Sequence, residues 1–462
     1  MDITTLLARA DPAPTRCTLI GVGQFGRTLL MQSRRIPLLD LRILCDRDVG
    51  RLDAIVRSAG LTEDRFRFTS DRRSALNALE HGKVVLTDDP DLAIGLPSDV
   101  VAEATGNAEA GAANATRAIA RGRHVCLVTK ETDCLVGPLL SRRARSAGVV
   151  LSQVDGDQPS LLLALLSWAG ALGLDVAGAG KASEHDFVWC AETGQVRAAG
   201  LPMTAPFDAA LWGTGSDDPA ALVAARAKAL SAIPQRTPPD FCELCLVSNA
   251  SGLLPDRPDL HAAIARPLEL ADLFRGTSHG GLFSGDRRLD IFNCLRREDE
   301  ISAAGGVYAV IAAPDPETGA LFRDKGIPVS RDGRHVLIYN PTHLLGVEAP
   351  MSVLVPHRLG LSTGAQAVRP VSDVTMRASR DLRAGETLTD LGHHHRVDGI
   401  APLLTPHAPL GGPAPVPYFL ALGARVARDV ASGAILACDD VVLPGGLLAE
   451  LRREQDRVTS WD

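Results

Sequence analysis

The sequence predicts an α/β protein in three parts: an N-terminal doubly wound Rossmann sheet, an α+β catalytic domain and a C-terminal β-rich module. Three observations predict it. Short apolar runs alternate with helix-spaced patterns through the first third of the chain, as parallel sheets covered by helices do. The first of those turns carries Gly21, Gly23 and Gly26 at G-x-G-x-x-G spacing. Near the C-terminus, Arg380-Asp-Leu-Arg-Ala-Gly-Glu-Thr-Leu388 recurs 48 residues on as Arg428-Asp-Val-Ala-Ser-Gly-Ala-Ile-Leu436, two short β segments about an acid and a glycine turn. The expected boundaries are 1–158 for the Rossmann domain, with 344–370 packing back on it, 159–343 for the catalytic domain and 371–462 for the β-rich module.

Strand one covers 17–20. Gly21 permits the tight turn, Gly23 lets the backbone approach a pyrophosphate, and Gly26 lets the helix pack on the strand. Gln24 and Phe25 open that helix, whose N–H groups and dipole receive the pyrophosphate. The helix ends near residue 35, before Pro37. The next strand, 41–45, runs into Asp46, twenty residues after Gly26, where a carboxylate accepts hydrogen bonds from the adenosine ribose. Arg47 follows and suits a 2′-phosphate, so NAD and NADP both stay open.

Strands 84–86 and 99–104 come next, the second leading to Thr105-Gly106-Asn107 and an alanine-rich helix over 108–121. Strand 124–128 ends in Thr129-Lys130-Glu131. Functional positions in such sheets lie beyond the carboxyl ends of strands. Glu103, Thr105, Gly106, Asn107, Lys130 and Glu131 all qualify, although each also reads as a cap or a solvated loop residue. Only five of the 48 basic residues are lysine. A lysine at a strand end therefore asks what an ammonium does there that a guanidinium cannot.

After a strand at 149–152 and a leucine-rich helix from Pro159 to Trp168, a strand at 175–179 is expected to end in a polar loop, Gly180-Lys181-Ala-Ser-Glu184-His185-Asp186. Lysine, carboxylates and imidazole together suit proton transfer, or a divalent metal through oxygen ligands, or a plain polar loop. The helix over 241–250 carries Cys242 and Cys245 with no second pair at zinc spacing. Its Glu243 and Asn249 are polar residues in an apolar helix and are expected at a pocket. Arg275 sits in a glycine-rich loop that suits an anionic substrate or is plain surface. A strand at 307–313, a turn at 315–319 and a strand at 336–339 follow, with Asn340 and His343 at the end of the last. His393, His394 and His395 are adjacent and cannot converge on one metal from one strand.

With 462 residues the chain exceeds what one core supports. Its 45% hydrophobic and 22% charged residues are ordinary for a globular protein. A net charge of −7, without a basic patch interleaved with aromatics, argues against nucleic acid as a partner. The apolar runs are too short to cross a membrane, the N-terminus lacks a signal-peptide pattern, and nine scattered cysteines read as reduced thiols. A cytoplasmic homo-oligomer acting on a small molecule is the expectation.

The motifs together resemble a family known mostly as predicted homoserine dehydrogenases with a C-terminal SAF domain. It includes 1-deoxy-D-xylulose 5-phosphate reductoisomerase-like enzymes. The resemblance rests on Ile20-Gly-Val-Gly-Gln-Phe-Gly26, Asp99-Val-Val-Ala-Glu-Ala-Thr-Gly106, Asp133-Cys-Leu-Val-Gly-Pro-Leu-Leu140, Ala179-Gly-Lys181, the stretch from Glu243 through Asp256, and Tyr339-Asn-Pro-Thr-His343. It implies an NAD(P)-dependent oxidoreductase acting on a CH–OH or C=O group of a small polar hydroxy or keto compound, derived from a sugar acid or an amino acid. It further implies a SAF-like fold for the C-terminal repeat. Lys130 matches the lysine after the fifth strand, near nicotinamide and substrate. Glu131 matches the acid of that loop, and Lys181 the first lysine of a Gly-Lys-rich loop. That loop is usually richer in Lys and Asn, and Asn340 stands where arginine is common, which argues against a tightly held phosphate.

The expected roles are Lys181 as proton donor or acceptor and Lys130 polarising the substrate oxygen. Glu131, Glu184 and Glu243 orient the lysines or hold a metal, while Glu184, His185, Asn249, Arg275, Asn340 and His343 touch substrate. The alternatives are reductoisomerase-like activity and a non-catalytic dinucleotide sensor or scaffold.

Overall fold

A computed structural model describes residues 2–10, 13–213, 218–392 and 394–461. The chain forms two compact units. One comprises Met1–Ser160, Leu344–Arg369 and Pro444–Asp462, the other Leu161–His343 and Pro370–Leu443.

The first unit holds a seven-stranded parallel sheet of β1 (Thr15–Ile20), β2 (Leu39–Cys45), β3 (Phe66–Phe68), β4 (Val84–Thr87), β5 (Val100–Glu103), β6 (His124–Leu127) and β7 (Leu151–Gln153). Their order is β3-β4-β2-β1-β5-β6-β7, every neighbouring pair parallel. Strands this apolar suit a sheet buried on both faces, and Leu19, Leu44 and Val100 are fully enclosed. The order reverses between β1 and β5, which makes the crevice beyond their carboxyl ends the topological switch point. The returning helix Met351–Leu359 places Val353 and Leu354 in the same core as Leu19 and Leu29. The last helix, Leu447–Asp456, also belongs here: Glu109 accepts the N–H groups of Leu447 and Leu448, and Gln455 bonds the backbone of Leu135 and Leu139. Residues 444–462 thus group with the first unit.

In the second unit a mixed eight-stranded sheet is built around β8 (Val176–Cys190), with β9 (Gln195–Ala198), β10 (Thr204–Pro206), β11 (Leu254–Pro255), β12 (Ala263–Ala265), β13 (Arg288–Arg297), β14 (Val307–Ala312) and β15 (His335–Asn340). β8 runs parallel to β13 and antiparallel to β14 and β9. The expected short strand with a polar loop is instead one long strand. Gly180 marks close packing, because a Cβ there would lie 1.7 Å from the carbonyl oxygen of Asp290. Ala182 pairs with Phe292 but Asp186 with Cys294, so Ser183, Glu184 and His185 form a bulge that re-aims side chains. The expected turn at 315–319 is likewise the start of a helix, Pro316–Asp324. Asp315 caps it by accepting the Thr318 N–H at 2.8 Å.

Pro370–Leu443 groups with the second unit. The reason is local bonding: Asn249 Oδ1 accepts the N–H groups of Val371 and Ser372 at 2.8 and 2.9 Å, and Ser248 bonds the Ser372 hydroxyl. The segment contains the hairpin-like pair β16 (Ser372–Ala378) and β17 (Ile400–Pro406), then β18 (Arg425–Val426) and β19 (Val441–Val442). The two sequence repeats face one another as equivalents. Leu382 and Val430 exchange both backbone hydrogen bonds, Asp429 accepts the Ala384 N–H, and Asp381 accepts the Ser432 N–H, each at 2.9 Å. Among the described residues no helix is long and apolar enough to cross a membrane.

Candidate functional site

At the carboxyl end of β1 the three glycines do different work. Gly21 has φ +90°, and a Cβ there would lie 2.3 Å from the Ala104 carbonyl oxygen; at Gly26 a Cβ would meet the Gly21 oxygen at 2.5 Å. Both let backbones touch. A Cβ at Gly23 would meet nothing within 4 Å. The turn is held between its neighbours, since Gly21 donates to the Cys45 oxygen and Ala104 to the Ile20 oxygen. Gly23 is the N-cap of the helix Gln24–Ser33 and offers its first N–H groups no side chain. Open space before a ten-residue helix N-terminus, at the switch point, fits a dinucleotide pyrophosphate.

Asp46, just past β2, is buried, with Oδ2 accepting the Val22 N–H and Arg51 Nη2, both at 2.7 Å, and Oδ1 accepting the Asp48 N–H at 2.9 Å. Burial raises its pKa, but those backbone bonds and Arg51 prevail and the net shift is downward. It is a firm carboxylate. Arg51 was not legible in the sequence as a partner, because only the turn into the helix Val49–Ser58 brings it back; Arg47 is exposed.

Glu103 closes β5 with no exposure. Its Oε1 accepts the Thr105 hydroxyl at 2.6 Å and the Thr105 N–H at 3.2 Å, while Oε2 has no hydrogen-bond partner among the described residues. Burial pushes its pKa up against those bonds. It therefore shapes the Thr105–Gly106 turn from beneath. The Gly106 N–H reaches the Thr129 hydroxyl at 3.1 Å, tying the turns after β5 and β6 together. Asn107 caps the helix Ala108–Ala120.

Lys130 is the first residue of the helix Lys130–Ser146, with half-buried Glu131 in the same turn. Its Nζ stands 3.1 Å from Asp157 Oδ2, and its side chain keeps 22% exposure against 6% for Asp157. Asp157 follows β7 and was not singled out in the sequence. Beside it, burial pushes Asp155 up to about 6, with the nearby Glu348 charge adding to the rise. Thus Gly21, Gly23, Asp46, Thr105, Gly106 and Lys130 share one edge of one sheet.

In the second unit Lys181 is enclosed at 2% exposure, with Nζ 2.9 Å from Asp240 Oδ1 and also in contact with the Glu243 carboxylate. Asp240, fully buried, further accepts the Ser183 hydroxyl at 2.8 Å and the Thr237 N–H at 2.9 Å. It lies in the first turn of the helix Pro238–Ser251, outside the shorter helix expected from sequence. Burial opposes the ammonium, yet the charges of Asp240 and Glu243 outweigh it and raise the Lys181 pKa. An ammonium held this way is a poor proton donor near neutral pH, and its place is mid-strand rather than at a strand end.

Other expectations are corrected. Arg275 is buried and spends its charge on Asp332 and Asp272, at 2.8 and 2.9 Å. Asn249 is 3% exposed and holds the backbone before β16, as above, instead of facing a pocket. Asn340 and His343 fasten the turn after β15: Asn340 Oδ1 accepts the Thr342 N–H at 3.3 Å, and His343 Nδ1 lies 2.7 Å from the Gly305 oxygen. Glu184 and His185 do face open space, a cavity of about 670 Å³ within the second unit. There Glu184 lies 3.2 Å from His394, whereas His395 turns to Asp390; His393 lies outside the described residues. Cys242 and Cys245 are buried, and the Cys245 thiol donates to the Ser372 carbonyl at 3.3 Å. Among the described residues no group of three or more His, Cys, Asp or Glu is arranged to hold a metal ion, which leaves the expected divalent site without support.

Residues 236–349 match the family model of the oxidoreductase DRL catalytic domain. That segment holds Asp240, Glu243 and the strands β13 to β15. No curated protein matches the chain. Solved structures similar to it include a homoserine dehydrogenase from Thiobacillus denitrificans, 20% identical over 35% of each chain with a TM-score of 0.28. An oxidoreductase from Agrobacterium radiobacter, solved with NAD+, L-tartaric acid and magnesium, is 14% identical over 37% of this chain and 45% of its own, TM-score 0.27. DOX-P reductoisomerase in complex with magnesium is 15% identical over 37% and 46%, TM-score 0.27. The chain thus spans less than half the length of each.

Proposed function

We propose that this chain is an NAD(P)-dependent oxidoreductase acting on a CH–OH or C=O group of a small polar hydroxy or keto compound. The observation that carries the reading is the open Gly23 position before a helix N-terminus, at the switch point, with Lys130 beyond the end of β6, two strands along the same sheet edge. The dinucleotide, when bound, supplies hydride chemistry between nicotinamide C4 and the substrate carbon.

The residues of the first unit do the rest. The N–H groups before Arg27 hold the pyrophosphate, and Asp46 faces the adenosine ribose. Lys130, partly exposed where Lys181 is enclosed, is the better candidate to hydrogen-bond the substrate oxygen and move a proton at Nζ. Asp157 steadies that ammonium and fixes its direction. Lys181 with Asp240 and Glu243 stiffens the second unit, a positioning role.

Lys130→Met is the test. The absorbance of reduced nicotinamide, followed over a panel of hydroxy and keto acids, is expected to show turnover by the native chain. The variant should lose at least a hundredfold of it with cofactor affinity within about threefold. Native-like turnover by Lys130→Met removes Lys130 from the mechanism. Tight cofactor binding without turnover on any compound favours the sensor.

A further inference from the structure

The cavity of the second unit contains a cation whose pairing is incomplete. Arg236 is held rigidly: Nε donates to the Asp259 carbonyl at 2.7 Å, and Nη2 to the carbonyls of Leu260 and His261 at 3.0 Å each. Among the described residues no carboxylate lies within ion-pair distance of it, and Nη1 makes no hydrogen bond yet is not a sealed, orphaned atom. Burial, together with the charges of Arg257 and Arg377, pulls its pKa down, although Asp290 and Asp259 oppose the shift from farther away. A partly desolvated guanidinium whose nearest carboxylates stand beyond ion-pair distance is costly, and an incoming anion reduces that cost.

Two further arginines line the same space. Arg377, on β16, meets Asp259 only at 3.9 Å, and Arg396, exposed, has no carboxylate within ion-pair distance among the described residues. The same lining holds Asp259, Glu184 bridged to His394, and Asp398 already paired with Arg380. The bulge in β8 is what turns Glu184 to this side. A volume of about 670 Å³ falls within the range of roughly 300–1,000 Å³ typical of small-molecule sites.

We propose that this cavity is a binding site for a small organic anion. Its carboxylate or phosphate group would pair with Arg236, Arg377 and Arg396, and its hydroxyl groups would donate to Glu184 and Asp398. The site lies wholly in the second unit, and the proposal holds whether or not the first unit performs redox chemistry.

Isothermal titration of the full chain with citrate, and separately with inorganic phosphate, tests it. The native protein should bind at least one of them saturably at one site. Citrate alone points to a carboxylate ligand and phosphate alone to a phosphate ester. The double variant Arg377→Gln/Arg396→Gln, neither side chain buried, should weaken binding about tenfold or more, since charge-assisted bonds carry such affinity. Arg67→Gln, exposed on β3, should leave binding unchanged. No saturable binding of either anion, or equal binding by native and double variant, overturns the proposal. NADH binding measured on the same samples reads the first unit independently.

Discussion

Replacing Lys181 by methionine removes the cation between two buried carboxylates while keeping the volume of the stem. Lys181 is 2% exposed, and Asp240 and Glu243 are 0 and 6% exposed at the side chain. Taking one partner out of a buried ion pair typically costs about 3–5 kcal/mol, because the remaining charge has neither water nor a partner. At roughly 2–4 °C per kcal/mol for a domain of this size, the melting temperature should fall by about 6–20 °C. The Lys181 pKa lies above its ordinary 10.5, so the cation's contribution is complete below about pH 10.5 and fades only above it. The native side should therefore contribute no pH dependence from pH 6 to 9 in urea titrations, and any narrowing of the difference toward pH 6 should come from protonation of the abandoned carboxylates in the variant. A second change, Glu243→Gln, made in the methionine background, should restore part of the loss, since one abandoned charge is gone. A Lys181→Met protein that unfolds within 1 kcal/mol of native would show that this cluster is hydrated, and the assignment of Lys181 to positioning would fall with it.

Asp133 offers a pH test. Burial pushes its carboxyl up to about 7, with only Gln153 opposing. A carboxyl raised in the fold imposes no cost below its unfolded value near 3.8 and its full cost above about 7, so stability drains away as pH rises through that window. Asp133→Asn should be more stable than native by up to about 4 kcal/mol at pH 8 and nearly equal at pH 4; a gain that does not depend on pH refutes the protonation argument. Gly21→Ala should destabilise the first unit by roughly 1–3 kcal/mol or more, as it forces a side chain into positive φ against the Ala104 carbonyl. Native-like melting by that variant would mean the turn can open without cost.

Much of the first unit was legible because its signals are local. The glycine spacing, the acid after β2 and the short apolar runs each report on a few consecutive residues, and the parallel order follows from right-handed crossovers. Arg51 and Asp157 were hidden because their partners, Asp46 and Lys130, come from turns or strands that only folding brings near. The second unit was harder for the same reason. Lys181 through Asp186 reads as a loop by composition, yet its lysine and serine are satisfied by Asp240, from a helix nearly sixty residues later. Arg275 advertised an anion site and instead meets Asp332. Charge in a sequence shows that a partner is needed; it does not show whether the partner is the chain or a ligand.

Fluorescence titration of NADH and NADPH against the native chain and Gly23→Val tests the central claim most directly. A side chain at Gly23 enters open space, so the variant should fold and melt as native does. It should bind whichever dinucleotide the native chain binds at least tenfold more weakly, because the pyrophosphate can no longer approach the backbone. A native chain that binds neither dinucleotide, or a Gly23→Val protein that binds as well as native, would contradict the account.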